Sequence, residues 1–572
     1  MNIKDVQAEI TAIDQELASI DNEASLAIIK KLLNIVELLV GENERLEAGQ
    51  QKLRDENNRL KGEKGKPDIK PNKNKDISSE DERKKAEANA NTDAGKGDET
   101  TDKDDSGKKK RQREPKLPNI KIDREVICPL NKDGLPDDLE SKGYEDVVIQ
   151  DIIITTNNTK YRCEVYYSPS HNKSYRAELP EDVRGQGEYG SGIRTLIPIL
   201  KSECNMSEKR IWGFFQNFSI NVSATYISQQ WTNGYALFHQ EKSDIYRSGI
   251  SGCNYVQIDD TGARVKGVNQ YSQIVCNPLF TAYFTTEKKD RLSVLGVLTD
   301  FAPCQYIYNE RSQALLGTFD LSAKAREAID AHLSVDKPMN EAEFQEELAQ
   351  LDSLGVRQKT RLSEACAIAF YQQQSDFPVI GTLLADDAPQ FKLLTENLGL
   401  CWIHDARHYK KLSPIVPIHQ QILADFRSQY WAYYTELLKY KADPTEDKKE
   451  WLSNQFDKIF STTTAYDDLD QRIAKTLAKK TELLRVLELP ELPLHNNAAE
   501  LGARVQARYR DVSFQTRSEK GTKAKDTFMT INQTAKKLGV SFYDYVYDRV
   551  SSQFKLPSLA DLIAQKAQAL TV

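Results

Sequence analysis

Leucine recurs at every seventh position near the start of the chain, which is the hydrophobic pattern of a coiled coil. The leucines are Leu32, Leu39, Leu46, Leu53 and Leu60. Three positions before each of them stand Ile29, Val36, Asn43, Gln50 and Asn57. Leucine at one seam position with asparagine at the other favours a parallel dimer in fixed register. We predict a coiled-coil dimerisation helix over residues 1–62; the alternative is an amphipathic helix packed on its own domain.

Two later apolar runs are rich in strand-forming residues and end in paired acids. One is YVQI, directly before Asp259, and the other is TLLA, directly before Asp386. Short apolar runs with polar ends are typical of buried strands. We predict a strand at each run, and two more strands over residues 270–276 and 281–285 between them.

Helical spacing of apolar residues accounts for most of the remaining chain. Three short helices are predicted over residues 190–233. Their spacing is that of a helix-turn-helix motif, although an ordinary helical subdomain has the same spacing. A helical insertion is predicted over residues 310–375, and long helices over residues 400–487.

A further predicted helix carries the third acid, Glu500. Asn496 or Asn497 can cap this helix, which places Glu500 in its first turn. Arg504 and Arg508 follow one and two turns along, on roughly the same face. A carboxylate beside guanidinium groups suits a site that holds metal and neutralises a phosphate backbone. A surface ion pair is the common alternative.

The segments between the first helix and these elements have different compositions. Residues 63–117 contain almost no apolar side chains, so we predict a disordered charged linker. The basic cluster at residues 108–113 fits either a solvated linker or nonspecific phosphate contact. Residues 118–183 are predicted to form a small β-rich module, with strands over residues 147–154 and 161–167.

Composition narrows the class of protein. The chain has 572 residues, of which 39% are hydrophobic, and a net charge of −7. No apolar stretch reaches the length of a membrane span, and the start of the chain lacks a signal-peptide core, so we expect a cytoplasmic protein without membrane contact. Its eight cysteines form no CxxC pair, which argues against a disulfide framework. The acidic balance does not exclude DNA binding, because the region after Glu500 is locally basic.

The three acids are the strongest candidates for chemistry. Carboxylates brought together from two strand ends and a helix can hold two hard divalent cations. Such a site suits in-line attack on a phosphodiester. Asp260 is expected to point away from Asp259, because successive strand residues face opposite sides of a sheet.

Four segments around these acids resemble the catalytic domain of transposases of the insertion-sequence 66 family. The segments are IDDTGARV, LLADDAPQF, LCWIHDARHYKKL and LHNNAAELGARVQARYRDVSFQTRSEKGTKA. The resemblance covers roughly residues 185–550, and its last segment is the most specific. It implies a ribonuclease-H-like sheet that begins with a strand, an acid and two further strands. It also implies a DDE-type DNA transposase with Asp259, Asp386 and Glu500 as catalytic residues and metal ligands.

The same resemblance implies cofactors and partners. Two Mg²⁺ ions are expected at the three acids, with Mn²⁺ able to substitute. One ion would activate the attacking water and the other would stabilise the leaving 3′ oxygen, after which the freed 3′-hydroxyl attacks target DNA. The expected partners are DNA of the element ends and target, a second copy of the chain, and accessory proteins of the same element. A bacterial protein of this kind is expected at the nucleoid.

Basic residues near the acids are candidates for contact with DNA phosphates. They are Arg407, Lys410, Lys411, Arg504, Arg508, Arg517, Lys520 and Lys523. The last three stand in a segment that we predict to be a basic, glycine-containing loop.

Zinc is a weaker expectation. Cys401, His404 and His408 lie near one face of a predicted helix, as zinc ligands would, but no fourth ligand is evident. The family has Cys-Trp-x-His here, and we favour a packed cysteine with a hydrogen-bonded His404 over zinc. The family also often carries paired cysteines in the β-rich region. Here Cys128 and Cys163 each stand without a partner, so we predict no zinc in that module.

We therefore predict an α/β protein with a ribonuclease-H-like catalytic core, a helical insertion and helical flanks, preceded by a coiled coil and a small β-rich module. The predicted domains are the coiled coil (1–62), the linker (63–117), the β-rich module (118–183), a helix-turn-helix-like DNA-binding region (184–250), the catalytic domain (251–550, with the insertion 310–375) and a C-terminal tail (551–572). The alternative is a catalytically inactive DNA-binding or assembly protein on the same fold. A structural coiled-coil protein is a third reading, which only residues 1–62 support.

Overall fold

The computed structural model describes most of the chain as two compact units. The described residues are 23–60, 80–93, 121–131, 143–180 and 187–571. The first unit comprises residues 1–94, 180–213 and 222–572, and the second comprises residues 95–179 and 214–221. All three candidate acids belong to the first unit.

A five-stranded mixed sheet organises the first unit. The strands of the chain are β1 (Val165–Ser168), β2 (Lys173–Arg176), β3 (Tyr255–Val265), β4 (Val268–Cys276), β5 (Thr281–Thr286), β6 (Gln305–Ile307), β7 (Pro338–Asn340), β8 (Thr382–Ala385) and β9 (Asn397–Leu400). The sheet order is β5-β4-β3-β8-β9. Strands β3, β4 and β5 are antiparallel neighbours, whereas β8 and β9 run parallel to β3. The strands predicted around the acids are confirmed: β8 coincides with the run TLLA, whereas β3 is longer than its run YVQI and continues to Val265.

Helices make up most of the rest of the described chain. They are α1 (Glu23–Leu60), α2 (Glu80–Asp93), α3 (Ser191–Ser202), α4 (Glu208–Asn217), α5 (Ala224–Asn233), α6 (Ala236–Ser251), α7 (Arg291–Leu298), α8 (Glu310–Thr318), α9 (Ala323–Asp330), α10 (Glu341–Gln350), α11 (Val356–Gln373), α12 (Trp402–Lys410), α13 (Pro417–Ala442), α14 (Glu446–Phe460), α15 (Asp467–Leu477), α16 (Lys480–Leu483), α17 (Asn497–Ser513), α18 (Glu519–Leu538), α19 (Phe542–Val550) and α20 (Leu559–Thr571). Helices α3 to α5 confirm the three predicted over residues 190–233. Helices α8 to α11 lie within the predicted helical insertion, together with strand β7, which pairs with β6 just before the insertion. Across the described ranges, no helix combines the length and the apolar character needed to cross a bilayer.

Helices α17 and α18 pack on one face of the sheet. Ile274 of β4, Tyr283 of β5 and Met529 of α18 form a buried cluster. Gly502 brings α17 close, because a Cβ at that position would lie 2.7 Å from Cγ2 of Ile274. The hydroxyl of Tyr283 donates to the Gly502 carbonyl at 3.2 Å. This close approach places the first turn of α17, and with it Glu500, over the sheet.

An aromatic core fixes helix α12. Trp402 is fully buried and its indole N–H donates to the Leu483 carbonyl at 2.9 Å. Its ring contacts those of Tyr430, Tyr433 and Phe456 from helices α13 and α14. Helix α12 therefore starts from a rigid anchor, which orients the side chains that follow Trp402.

Helix α1 docks on the first unit through one face. Leu33 is buried against Val416. The Glu37 carboxylate accepts the backbone N–H groups of Ile415 and Val416, each at 2.9 Å. These N–H groups stand just before α13, so Glu37 occupies the position that a helix N-terminus favours for an anion.

The predicted heptad leucines of α1 lie on its exposed side. Leu39 is 61% exposed, Leu53 is 68% exposed and Leu60 is 84% exposed. Ile29 and Val36, predicted for the other seam position, instead pack beside Leu33 against the chain itself. The helix is therefore packed on its own domain in its first half, and still presents an apolar row outward.

Part of the predicted disordered linker is helical. Helix α2 lies within residues 63–117, and its Ala86 joins the aromatic core of helices α12 to α14. Glu82 of α2 pairs with Arg427 of α13. Composition did not reveal this helix, because a few apolar and charged contacts to a distant segment stabilise it. The basic cluster at residues 108–113 lies outside the described residues.

The second unit contains the β1–β2 hairpin. Its turn places Asn172 at a φ of 45°, a left-handed conformation that asparagine tolerates. The strand predicted over residues 147–154 is wrong: those residues are exposed and in no strand, because no described segment pairs with them. The returning strand starts at Val165, four residues later than predicted.

Candidate active site

Two of the predicted acids belong to neighbouring parallel strands: Asp259 lies within β3, and Asp386 directly follows β8. The prediction that the first strand ends at Asp259 is wrong, because pairing with β4 continues β3 to Val265. Gln257 of β3 is in register with Leu384 of β8. Asp259 and Asp386 each follow two residues later along their strands, so the two carboxylates stand at the same level of the sheet. The Asp386 carboxylate also accepts the backbone N–H of Ala388 at 3.0 Å, which closes the turn after β8.

Glu500 approaches this edge through Asn496, the residue that precedes α17. The side chain of Asn496 makes no capping bond; its amide donates instead to the Ile258 carbonyl at 2.7 Å, so the capping prediction is wrong for this residue. Its backbone N–H donates to the Cys401 sulfur at 3.2 Å. These two bonds tie the start of α17 to β3, next to Asp259, and to the start of α12. The predicted position of Glu500 in the first helical turn is confirmed.

The acids interact electrostatically. Burial raises the pKa of Asp259 to about 7, and the charges of Asp386 and Glu500 act in the same direction. The backbone N–H of Asp260 donates to Asp259 and opposes this effect only in part. Three carboxylates that act on one another electrostatically supply oxygen ligands of the kind that a hard divalent cation binds.

Arg407 of α12 contacts Glu500 directly. Its Nη2 donates to both carboxylate oxygens of Glu500, at 3.3 and 3.2 Å. Its Nη1 lies 2.9 Å from Nε2 of His404. Because a guanidinium can only donate, Nε2 of His404 accepts this bond. Burial and the adjacent Arg407 both lower the pKa of His404, so the ring is neutral.

His404 and Cys401 lie beside Glu500. Among the described residues, a tight group of potential metal ligands consists of Cys401, His404 and Glu500, whose ligand atoms lie within 4.8 Å of one another. Asp259 and Asp386 do not belong to this group. His408, the third residue of the zinc alternative, is also outside it. Burial raises the pKa of the Cys401 thiol to about 12, which keeps it protonated. The absence of zinc remains a prediction.

The second acid of each pair has its own cation. Asp260 lies 3.5 Å from Nζ of Lys289 and accepts from Gln390 at 3.3 Å. Asp387 pairs with Lys479 and, at 2.6 Å, with Lys392. Burial alone would raise the pKa of Asp387, but the bonds from Lys392 and Lys479 hold it below its ordinary value. Sequence analysis missed these lysines, and no local spacing could have identified them.

A cavity of about 240 Å³ opens beside these acids. Its walls include Asp386, Cys401, His404, His408 and Lys479. Acids, neutral imidazoles and a lysine thus share one concave surface. The cavity connects the end of β8 with the part of α12 that carries His404 and His408.

The predicted DNA-contacting residues occupy several places. Arg504 and Arg508 are exposed on α17, and Arg517 is exposed after it. Lys520 and Lys523 are not in a loop as predicted. The Ser518 side chain accepts from the backbone N–H of Gly521 at 3.0 Å and starts α18 there, so both lysines lie in its first two turns.

Lys520 and Lys523 face different neighbours. Lys520 donates to Asn233 at 2.8 Å. Lys523 borders a larger cavity of about 1140 Å³ together with Lys266, Lys288 and Asp526. On the other side of the sheet, Lys410 and Lys411 end α12 beyond Arg407.

The fold and the site define a mixed α/β protein with acidic residues on, and directly after, two neighbouring parallel strands. The family model described as Transposase IS66 family matches residues 358–524, which include Asp386, Arg407 and Glu500. The Uncharacterized protein y4jO of Sinorhizobium fredii (strain NBRC 101917 / NGR234) is 31% identical over 325 residues, which cover 56% of this chain and 99% of that protein. The chain belongs to the IS66 family of transposases. Family membership suggests transposition and implies DNA binding, and such proteins generally use divalent metal ions.

Proposed function

We propose that the protein is a DNA transposase that cuts and joins DNA strands at Asp259, Asp386 and Glu500. The observation that carries the proposal is the electrostatic cluster itself. Burial raises the pKa of Asp259 to about 7, and the charges of Asp386 and Glu500 act in the same direction, which supports placing the three acids in one site. Acids whose ionised forms are disfavoured by burial and by mutual repulsion are typical of a functional site.

The three acids would hold two divalent cations, with Mg²⁺ as the resident ion and Mn²⁺ as a substitute. When bound, the ions supply an activated water or 3′-hydroxyl and stabilise the leaving oxygen. The chain contributes a rigid frame: β3 and β8 fix Asp259 and Asp386 at one level, and Asn496 fixes the start of α17. Exposed Arg504 and Arg508 lie along the same helix as Glu500 and suit contact with DNA phosphates.

The same proposal includes a ribonuclease-H-like core. Its support is the order of elements: a strand that contains the first acid, two further antiparallel strands, and a parallel strand that is directly followed by the second acid. A bacterial transposase of this kind works on chromosomal DNA, so we place the protein in the cytoplasm at the nucleoid. It acts on the ends of its element and on target DNA, with accessory proteins of the same element as further partners.

The exposed leucines of α1 support a homodimer. Leu46 and Leu53 are 62% and 68% exposed, in line with the heptad pattern. Two such helices would bury these rows against each other. We expect a dimer by size-exclusion chromatography with light scattering, and a monomer when both Leu46 and Leu53 are changed to lysine. A monomeric wild-type protein would refute this part of the proposal.

Metal-dependent nicking of DNA tests the function. The substrate is DNA that carries the element's own ends, with Mg²⁺ or Mn²⁺, and the variants are Glu500→Gln and the matched control Glu446→Gln. Glu446 is 82% exposed in the first turn of α14, so its change tests for nonspecific effects. We expect cleavage by the wild type and by the control, and none by Glu500→Gln.

The alternative function is a catalytically inactive DNA-binding or assembly protein. The contact between Arg407 and Glu500 favours it, because that contact occupies a carboxylate that catalysis needs. DNA binding by the wild type without any cleavage, in either metal, would establish this alternative.

A further inference from the structure

Glu500 contacts Arg407 through the same oxygens that a cation needs. Both carboxylate oxygens accept from a single guanidinium nitrogen, at 3.3 and 3.2 Å. Charge-assisted bonds of this kind are usually about 2.7–2.9 Å long. The side chains of Arg407 and Glu500 are 23% and 17% exposed. The pair is therefore long and accessible to solvent, which makes it readily broken.

A divalent cation and Arg407 cannot share Glu500 in this arrangement. Mg²⁺ binds carboxylate oxygen at about 2.0–2.1 Å. A dication at that distance would repel a guanidinium that contacts the same two oxygens. Binding of the cation therefore weakens the contact of Arg407 with Glu500 and favours movement of Arg407 away from it.

The neighbours of the Glu500 carboxylate show on which side of the site it is held. Its ligand atoms group tightly with those of Cys401 and His404, not with Asp259 and Asp386. Nε2 of His404 accepts the other arm of Arg407 at 2.9 Å. Arg407 and His404 thus hold the carboxylate on the α12 side of the site.

We propose that Arg407 is an exchangeable counter-ion: it holds Glu500 on the α12 side, yields it to a divalent cation, and then binds a phosphate of the DNA. This inference rests on the proposed function. A displaced Arg407 remains at the edge of the acidic cluster, where the phosphodiester must lie to react. Its planar guanidinium can donate to two phosphate oxygens at once. Lys410 and Lys411 add further positive charge at the end of the same helix.

Mn²⁺ binding to the full-length protein, measured by titration calorimetry, tests the exchange. The proteins are the wild type, Arg407→Gln, the charge-preserving Arg407→Lys, and the control Arg357→Gln at an exposed position on α11. Glu500→Gln defines which binding belongs to this site. We expect Arg407→Gln to bind Mn²⁺ roughly two- to fivefold more tightly, because a competing ion pair of this exposure has been removed. Arg407→Lys and the control should bind like the wild type.

DNA binding supplies a second measurement, in which Arg407→Gln should have the opposite effect from its effect on Mn²⁺ binding. Arg407→Gln should bind DNA more weakly, with a salt dependence reduced by about one phosphate contact. A merely structural role would not tighten metal binding while it weakens DNA binding. Melting temperature checks that each variant is folded.

Two results would overturn the inference, and they are distinguishable. If Mn²⁺ binding depends on Glu500 but is unchanged or weaker in Arg407→Gln, the exchange is wrong while the metal site stands. If Mn²⁺ binding does not depend on Glu500 at all, the metal site and the proposed function fail together with the exchange.

Discussion

Helix α12 carries two acid–arginine pairs on opposite faces, and they differ in almost every physical respect. On one face, Asp405 pairs with Arg472 and accepts from Thr476 at 2.9 Å. The side chains of Asp405 and Arg472 are 5% and 10% exposed. On the other face, Glu500 meets Arg407 at longer distances and with greater exposure.

The comparison separates a structural pair from a functional one. Burial raises the pKa of Asp405, and Arg472 and Thr476 act against that effect, so the charge is matched locally. Glu500 has Arg407 but also two neighbouring carboxylates, so its side of the helix carries surplus negative charge. A matched, buried pair stabilises the fold, whereas we propose that a partly exposed pair beside unmatched acids exchanges partners.

Removing the charge of Asp405 from the buried pair should have the largest effect on stability. Asp405→Asn leaves the Arg472 guanidinium buried without its counter-charge, which costs about 3–5 kcal/mol in the free energy of unfolding. Urea denaturation followed by tryptophan fluorescence measures the loss. Asp425→Asn, at an exposed position on α13, serves as control and should change stability little. A loss below about 1 kcal/mol in Asp405→Asn would show that this pair does not hold the fold.

Removing one charge from the acidic cluster should have a smaller effect on stability, and it should stabilise the protein. Asp259 has a pKa of about 7, so at pH 8 it is mostly ionised beside two other carboxylates. Asp259→Asn removes that repulsion and should stabilise the protein by about 1 kcal/mol in EDTA. The measurement is urea denaturation at pH 8, with the protein otherwise unchanged. Destabilisation by this substitution would mean that the negative charge is matched after all, and would remove the distinction between the two faces.

The sequence predicts the local parts of this arrangement. Apolar runs ending in acid identify β3 and β8, and helical spacing identifies α17 with Glu500 in its first turn. These signals are local, since strand and helix periodicity are visible within about ten residues. Asp259, Asp386 and Glu500 could therefore be named as a group before their positions were known.

The pairings between elements could not be predicted from spacing. Arg407 and Glu500 are 93 residues apart, and Asp405 and Arg472 are 67 residues apart. The sequence offers Arg407 as a candidate for phosphate contact, but no spacing predicts that its guanidinium contacts Glu500. Tertiary packing around Trp402 decides which face of α12 each side chain takes.

The structural predictions that proved wrong or incomplete have a common cause, which is that contacts with distant segments decide the outcome. The apolar run at residues 147–154 lacks a pairing strand among the described segments, and β propensity alone does not form a ladder. Helix α2 was missed because its stability comes from contacts with α13. Asn496 has the composition of a helix cap, but its amide is used to tie α17 to β3.

Anomalous diffraction from crystals grown with Mn²⁺ would test the central claim most directly. The account predicts Mn²⁺ peaks between Asp259, Asp386 and Glu500, with the Arg407 guanidinium no longer in contact with Glu500. A Mn²⁺ peak ligated by Cys401, His404 and Glu500, with Arg407 displaced but both aspartates free of metal, would contradict it.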